Sequence, residues 1–335
     1  MYPAKFDYHR VTSLDEALSL LERLGDDAKV LAGGQSLIPM MKLRFAEPAA
    51  LVDINRIGGL DRIAEQDGSL RIGALVRHKS AEYSPALRGR FGVLGDTAPQ
   101  ISDPIVRNLG TVAGSLAHAD PQGDWASAML AAGAEVVARS AGGERTIALD
   151  DLLQGPFETT LEPNEIVTEV RVPDPGPRTG GTYLKLERRV GDFATVGVAV
   201  QVSLEDGKVA RAGIALTGVG PINVRARAAE DALRGSDLGA DAITEAARLA
   251  ADAAEPRGDL RGSAEYKRNV VRVFTERGLR HAAAAARGDG EAPPVSHSFP
   301  RAVARPPGQA TGEDYFAGED TIEGVMDEIR DKEGE

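Results

Sequence analysis

Two short stretches carry the residue types that suit anion binding. In "VLAGGQSLIPMMKLR" (residues 30–44) an apolar run passes into Gly33, Gly34, Gln35 and Ser36 and then becomes apolar again. In "NLGTVAGSLAHADPQGDWASAML" (residues 108–130), Gly110, Thr111, Gly114 and Ser115 make a second small-residue turn, roughly eighty residues further on. Glycine lets the backbone approach a ligand closely, and consecutive amide N–H groups in such a turn form a concave donor site, most often for phosphate. Neither G-x-x-x-x-G-K-[ST] nor G-x-G-x-x-G occurs in the chain, so no standard phosphate loop is present. Each turn taken alone also suits a tight corner between a strand and a helix with no ligand. The pair suggests a diphosphate held between two subdomains, with two ligand-free strand-to-helix corners as the alternative.

Local patterns give the elements around these turns. Ser13 followed by Glu16 makes a capping box, and Leu14, Ala17, Leu18, Leu21 and Leu24 form a helical apolar stripe that ends at Gly25. "KVLAGG" reads as the next strand and "ALVDINRI" (50–57) as another, with Leu37, Ile38, Met40, Met41 and Leu43 as buried flanks of the first turn. "SLRIGALV", "GERTIAL" and "EIVTEVRVP" predict a largely antiparallel second unit ending near Pro173. After the second turn, Asp120 is expected to cap a helix that Pro121 opens, with Asp124 in its first turn and Trp125, Ala128, Met129 and Ala132 following. "DPGPRTGG" (174–181) reads as a linker. "ATVGVAVQVSL", Asp206-Gly207 and "KVARAGIALTGV" form a hairpin pattern, followed by helical stretches around 224–234, 240–254 and 264–286. From Arg287 the chain is rich in Pro, Gly, Ala and charge and is expected to be flexible; "DTIEGVMDEIRDKE" has the spacing of a short acidic helix suited to docking on a partner or another copy.

Composition narrows the function classes. A chain of 335 residues with 42% hydrophobic and 27% charged residues is long enough for two or three globular domains. A net charge of −12 argues against nucleic acid and against an anionic membrane surface. No apolar run reaches the ~20 residues of a membrane span and the N-terminus lacks a signal-peptide pattern, so the expected location is the cytoplasm. There is no cysteine, which excludes disulfides, thiol nucleophiles and any cysteine-ligated iron–sulfur cluster in this chain. The five histidines (His9, His78, His118, His281 and His297) lack metal-ligand spacing, so no protein-held metal is expected. Redox chemistry here requires an organic cofactor.

"FDYHRVTSLDEALSLL", "LAGGQSLIPMMKLR", "GTVAGSLAHADPQGD" and "KLERRVGDFA", in this order, resemble the FAD-binding medium subunit of the molybdenum hydroxylases, the family of aerobic carbon monoxide dehydrogenase and xanthine dehydrogenase. The resemblance runs from residue 1 to about 285. It implies an α+β fold: a two-subdomain FAD-binding fold of the vanillyl-alcohol-oxidase type (1–57 and 58–175), then a C-terminal α+β domain with a small antiparallel sheet and helices (180–286), and a tail (287–335). By similarity, Ala32, Gly33, Gly34, Gln35, Ser36 and Leu37 form the first pyrophosphate turn. Thr111, Ala113, Gly114 and Ser115 form the second, with Asp124 a further polar contact and Ile101, Val167 and Lys185 near the flavin. Gln35 stands where the family often has His, and Ala113 where it usually has Gly; both changes bear on how tightly FAD binds. The resemblance also implies non-covalent FAD, with the molybdenum cofactor on a large partner subunit, two iron–sulfur clusters on a small one, and assembly as a dimer of heterotrimers.

The same residues leave alternatives open. Lys185 would stabilise reduced flavin or be an ordinary solvated strand lysine. Phe193 would pack by the isoalloxazine and face the iron–sulfur partner, or be a core residue at the start of a strand. Trp125 is expected to pack its helix rather than stack on flavin, and His118 to be a solvent-facing loop residue. No residue reads as a catalytic acid, base or nucleophile, which suits an electron relay. The competing functions are a stand-alone FAD-dependent oxidase or dehydrogenase and a flavin-free assembly subunit.

Overall fold

The described residues build three main β-sheets in sequence order, covered by helices, and a two-stranded ribbon of Leu153–Gly155 with Glu158–Thr159. The structure is a computed structural model and describes residues 2–288; the readings of a flexible tail and a short acidic helix beyond Gly288 lie outside the described residues.

The first sheet is parallel, with Ala50–Asp53 between Asp7–Arg10 and Ala28–Leu31. All four residues of the central strand are buried, as befits a parallel strand covered on both faces. Helix Leu14–Leu24 is capped as expected: Ser13 Oγ accepts from Glu16 N at 3.2 Å, and Ala17, Leu18 and Leu21 are buried. Ala28–Leu31 stops short of the glycines, and the chain crosses through helix Leu37–Leu43 to the central strand. The expected strand over 50–57 ends at Asp53. The apolar flank after the first turn is less buried than its composition predicts, because a seven-residue helix lays only one face on the sheet: Met41 is buried and Leu43 is exposed.

The second sheet has five antiparallel strands, Ile63–Gln66, Ser69–Gly73, Ile166–Pro173, Glu135–Ser140 and Gly143–Ala148, in that spatial order. The third has four, Thr179–Leu186, Val196–Glu205, Lys208–Thr217 and the short Val224–Arg225. Asp206 and Gly207 turn the central hairpin of that sheet with φ of 50° and 77°, the left-handed pair that a tight hairpin turn demands. Helices Arg227–Leu233, Ala240–Asp252 and Ala264–Arg287 follow, so the stretch expected to be helical from 224 begins as strand.

Between the second and third sheets runs helix Asp124–Ala132, all nine residues of which are buried. A helix buried all round joins two layers into one core. Its start corrects the sequence reading: Asp120 Oδ1 accepts from Gln122 N at 2.9 Å, a local turn that consumes the expected cap, and the helix begins after Gly123. The expected linker is also shorter. Residues 179–181 already belong to a buried strand, and a Cβ built on Gly180 would lie 2.1 Å from the Ala282 carbonyl oxygen. Gly180 serves close packing against the last helix, where the sequence pattern read as a joint.

Candidate functional site

The two glycine turns meet. A Cβ built on Gly33 would lie 2.4 Å from the Leu109 carbonyl oxygen and 2.7 Å from Gly110 Cα, so only glycine permits the contact. Gly34 adopts φ of 71°, the left-handed region, which turns the chain from strand to helix. The N–H groups of Gly33, Gly34, Gln35, Ser36 and Leu37 meet no acceptor among the described residues, nor do the Gln35 amide and the hydroxyls of Ser36 and Ser115. The residues from Ala32 to Ile38 are half-buried, so the turn that carries these donors is partly open to solvent. In the second turn, Thr111 is buried and its Oγ1 accepts from Gly114 N at 3.1 Å, Ala113 is buried behind it, and Gly114 and Ser115 face outward. A row of unpaired donors is costly unless water or a ligand satisfies it, and an extended anion such as a diphosphate suits it.

His78 and Trp125 support the second turn from behind. The His78 backbone N–H donates to Gly110 O at 2.9 Å, and its ring lies so close to Gly110 that a Cβ there would sit 2.7 Å away. Trp125 is fully buried and its Nε1–H donates to His78 Nδ1 at 3.0 Å, so this tryptophan is helix packing, as expected. Burial, reinforced by the Arg107 and Arg77 cations, lowers the His78 pKa to about 4. The neutral ring is the form that accepts from Trp125. An unfolded histidine takes up its proton near pH ~6.5, so between pH 6.5 and 4 unfolding binds a proton and stability falls as pH drops. At pH 5 the loss relative to pH 7 is about 2 kcal/mol. His78→Gln keeps an acceptor for Trp125 and removes the titration, so its melting temperature is expected to fall less between pH 7 and pH 5. An identical fall in both proteins would contradict this.

A second cluster gathers around Asp124. Asp124 Oδ1 accepts from the Tyr183 hydroxyl at 2.7 Å and Oδ2 from Lys185 Nζ at 3.0 Å, while Lys185 also donates to Gln100 O at 2.9 Å and has Glu187 Oε2 at 3.5 Å. The Lys185 side chain is only 2% exposed, so it is neither a solvated lysine nor an unpaired cation. Burial raises the Asp124 pKa, and Lys185 and Tyr183 oppose that shift by stabilising the carboxylate. The network continues inward, with Thr217 within 3.1 Å of the Tyr183 hydroxyl and donating to Ser127, which also accepts from Asn223.

The structure thus gathers Ala32–Leu37 with residues 109–115, and gathers Asp124 and Lys185 beside Gln100, the neighbour of Ile101. Gly123 links the groups, since a Cβ there would lie 3.8 Å from Ser115 Oγ. Val167 lies on the five-stranded sheet, opposite Ala138 at a bulge, in the same buried cluster as Val112, Ala113 and Trp125. Phe193 is 53% exposed rather than core. His118 ends helix Val112–His118, half-buried with its ring centroid 5.1 Å from that of Phe157, where a solvent-facing loop residue was expected. Sequence reading missed Tyr183, His78, Asn55 and Arg77. Tyr183 alone had a visible signal, two residues before Lys185 and therefore on the same face of its strand.

Among the described residues no helix is long and apolar enough to cross a membrane, and no group of three or more His, Asp or Glu is placed to hold a metal. Fold and site together define a two-turn architecture suited to a diphosphate-bearing cofactor. Residues 4–175 match the FAD binding domain in molybdopterin dehydrogenase, and residues 181–282 the CO dehydrogenase flavoprotein C-terminal domain. The chain belongs to the family of FAD-binding medium subunits of the molybdenum hydroxylases. It is 41% identical over 282 residues to the carbon monoxide dehydrogenase medium chain of Hydrogenophaga pseudoflava, covering 84% of this chain and 98% of that one. It is also 41% identical to the 6-hydroxypseudooxynicotine dehydrogenase complex subunit alpha of Paenarthrobacter nicotinovorans, over 84% of this chain and 96% of that one. A solved carbon monoxide dehydrogenase from Hydrogenophaga pseudoflava superposes with a TM-score of 0.82 at 44% identity, covering 85% of this chain and 99% of that one. The α+β fold expected from the four motifs is the one found.

Proposed function

We propose that this chain is the flavoprotein subunit of a molybdenum hydroxylase, carrying electrons from an iron–sulfur partner through non-covalent FAD to an external acceptor. The observation that carries the reading is the contact between the two glycine turns beside a row of unpaired N–H donors. The subdomains 1–57 and 58–175 each supply one turn, so the diphosphate is held by Ala32–Leu37 on one side and by Thr111, Ala113, Gly114 and Ser115 on the other. Backbone donors suit an acidic chain, because they bind an anion without requiring added Lys or Arg. Bound FAD supplies one- and two-electron redox chemistry. Ile101, Val167, Asp124 and Lys185 would hold the flavin end, with the Asp124–Lys185 pair fixing charge in a water-poor setting. A chain without cysteine holds no cysteine-ligated cluster, so the clusters belong to a small partner and the molybdenum cofactor and substrate to a large one. Assembly is read as a dimer of heterotrimers in the cytoplasm.

The test is gentle purification of the full chain from its native cells. A large molybdenum-containing chain and a small cysteine-rich chain are expected to accompany it, with flavin and iron–sulfur bands in one spectrum and flavin reduced by dithionite. Oxidation of an organic substrate by this chain alone would overturn the reading in favour of a stand-alone oxidase.

A further inference from the structure

Two residues outside the turns hold one carbonyl from each. Asn55 Nδ2 donates to Ala32 O at 2.8 Å, and Asn55 Oδ1 accepts from Arg77 Nη2 at 2.6 Å. Arg77 Nη1 in turn donates to Leu109 O, and the Arg77 backbone bridges to Thr111. Asn55 is itself fixed from below: Asp53 Oδ1 accepts its backbone N–H at 2.8 Å and its Nδ2 at 2.7 Å, and Asp53 Oδ2 accepts from the Tyr8 hydroxyl. Ala32 immediately precedes Gly33, and Leu109 immediately precedes Gly110. In a planar trans peptide the carbonyl and the next N–H point oppositely. Anchoring Ala32 O therefore aims the Gly33 N–H away from Asn55, and anchoring Leu109 O fixes the peptide plane against which Gly33 packs.

We infer that Asn55 and Arg77 form a clasp that sets the spacing and aim of the two glycine turns, making them positioning residues for the FAD diphosphate. The inference rests on the flavin reading above. The planar guanidinium is what the clasp needs, because one group must reach Leu109 O and Asn55 Oδ1 with two nitrogens in a fixed fork. No carboxylate forms a contact ion pair with Arg77 among the described residues; Asp53 and Asp61 act on its charge from further away.

The experiment uses the full chain with the chains that accompany it, stripped of flavin and retitrated with FAD. Arg77→Lys keeps the charge and loses the fork; Asn55→Ala removes the hydrogen bond to Ala32 O and the link to Arg77. Each is expected to weaken FAD binding about tenfold, and the double variant to be no weaker than the worse single one, because each acts through the other. The ³¹P resonances of bound FAD should shift in both variants, while the flavin midpoint potential stays unchanged. Unchanged affinity in Arg77→Lys, additive losses in the double variant, or unmoved ³¹P resonances would each overturn the clasp. If Asn55→Ala fails to fold, the Arg77→Lys affinity and ³¹P readings decide alone. Absence of FAD from the unsubstituted protein would overturn the flavin reading and the clasp together, and it shows without any substitution.

Discussion

Asp124→Ala is expected to destabilise the fold by about 3–5 kcal/mol, the cost of leaving one member of a buried ion pair without its partner. Lys185, 2% exposed at its side chain, would keep only the Gln100 carbonyl and the more distant Glu187, and the Tyr183 hydroxyl would lose its carboxylate acceptor. The loss falls at the junction of helix Asp124–Ala132 with strand Thr179–Leu186, so it should lower the melting temperature of the whole chain. The double variant Asp124→Asn with Lys185→Met removes both charges and is expected to lose clearly less than Asp124→Ala alone. Melting curves of the three proteins check this. A single variant no less stable than the double would show that the pair is not the source of the cost.

Gly33→Ala is expected to weaken FAD binding by about a hundredfold or more, the equivalent of the ~3 kcal/mol that overpacking at a rigid contact costs. The added Cβ meets three backbone atoms, Leu109 O, Leu109 C and Gly110 Cα, which cannot swing aside as a side-chain end would. The turns must part, and Leu109 O is also the acceptor of Arg77. Gly34→Ala is the comparison. Its Cβ would meet only the Ile38 and Leu31 side chains at 3.1 Å, and its cost is mainly that of φ 71°, about 1–2 kcal/mol. Equilibrium dialysis with FAD measures both, and full flavin retention in Gly33→Ala would contradict the contact's role.

The features legible in the sequence were those written locally. Ser13 and Glu16 lie one turn apart, and Asp206-Gly207 needs only its neighbours to make a hairpin, so both were readable. The glycine turns were readable because missing side chains mark a close approach, although the sequence placed the approaching group in a ligand. The structure adds a second object of that approach, the backbone at Leu109 and Gly110. Asn55 and Arg77 were not readable, since an Asn in a loop and an Arg at a helix start are ordinary until the fold brings them together. Asp120 misled because a local turn to Gln122 competes with capping. Gly180 misled because glycine in a Pro-rich stretch reads the same whether it supplies flexibility or room for the Ala282 carbonyl. Asp124 and Lys185 were each named by resemblance, but their pairing and burial follow from a helix sandwiched between two sheets.

The most direct measurement is acid extraction of the purified, unsubstituted protein, with the released flavin identified and counted against the chain. Two backbone turns holding a diphosphate, in a chain with no cysteine for thioether attachment, predict about one FAD released into the supernatant per chain. FMN in its place, flavin that remains with the precipitated protein, or no flavin at all would contradict the account.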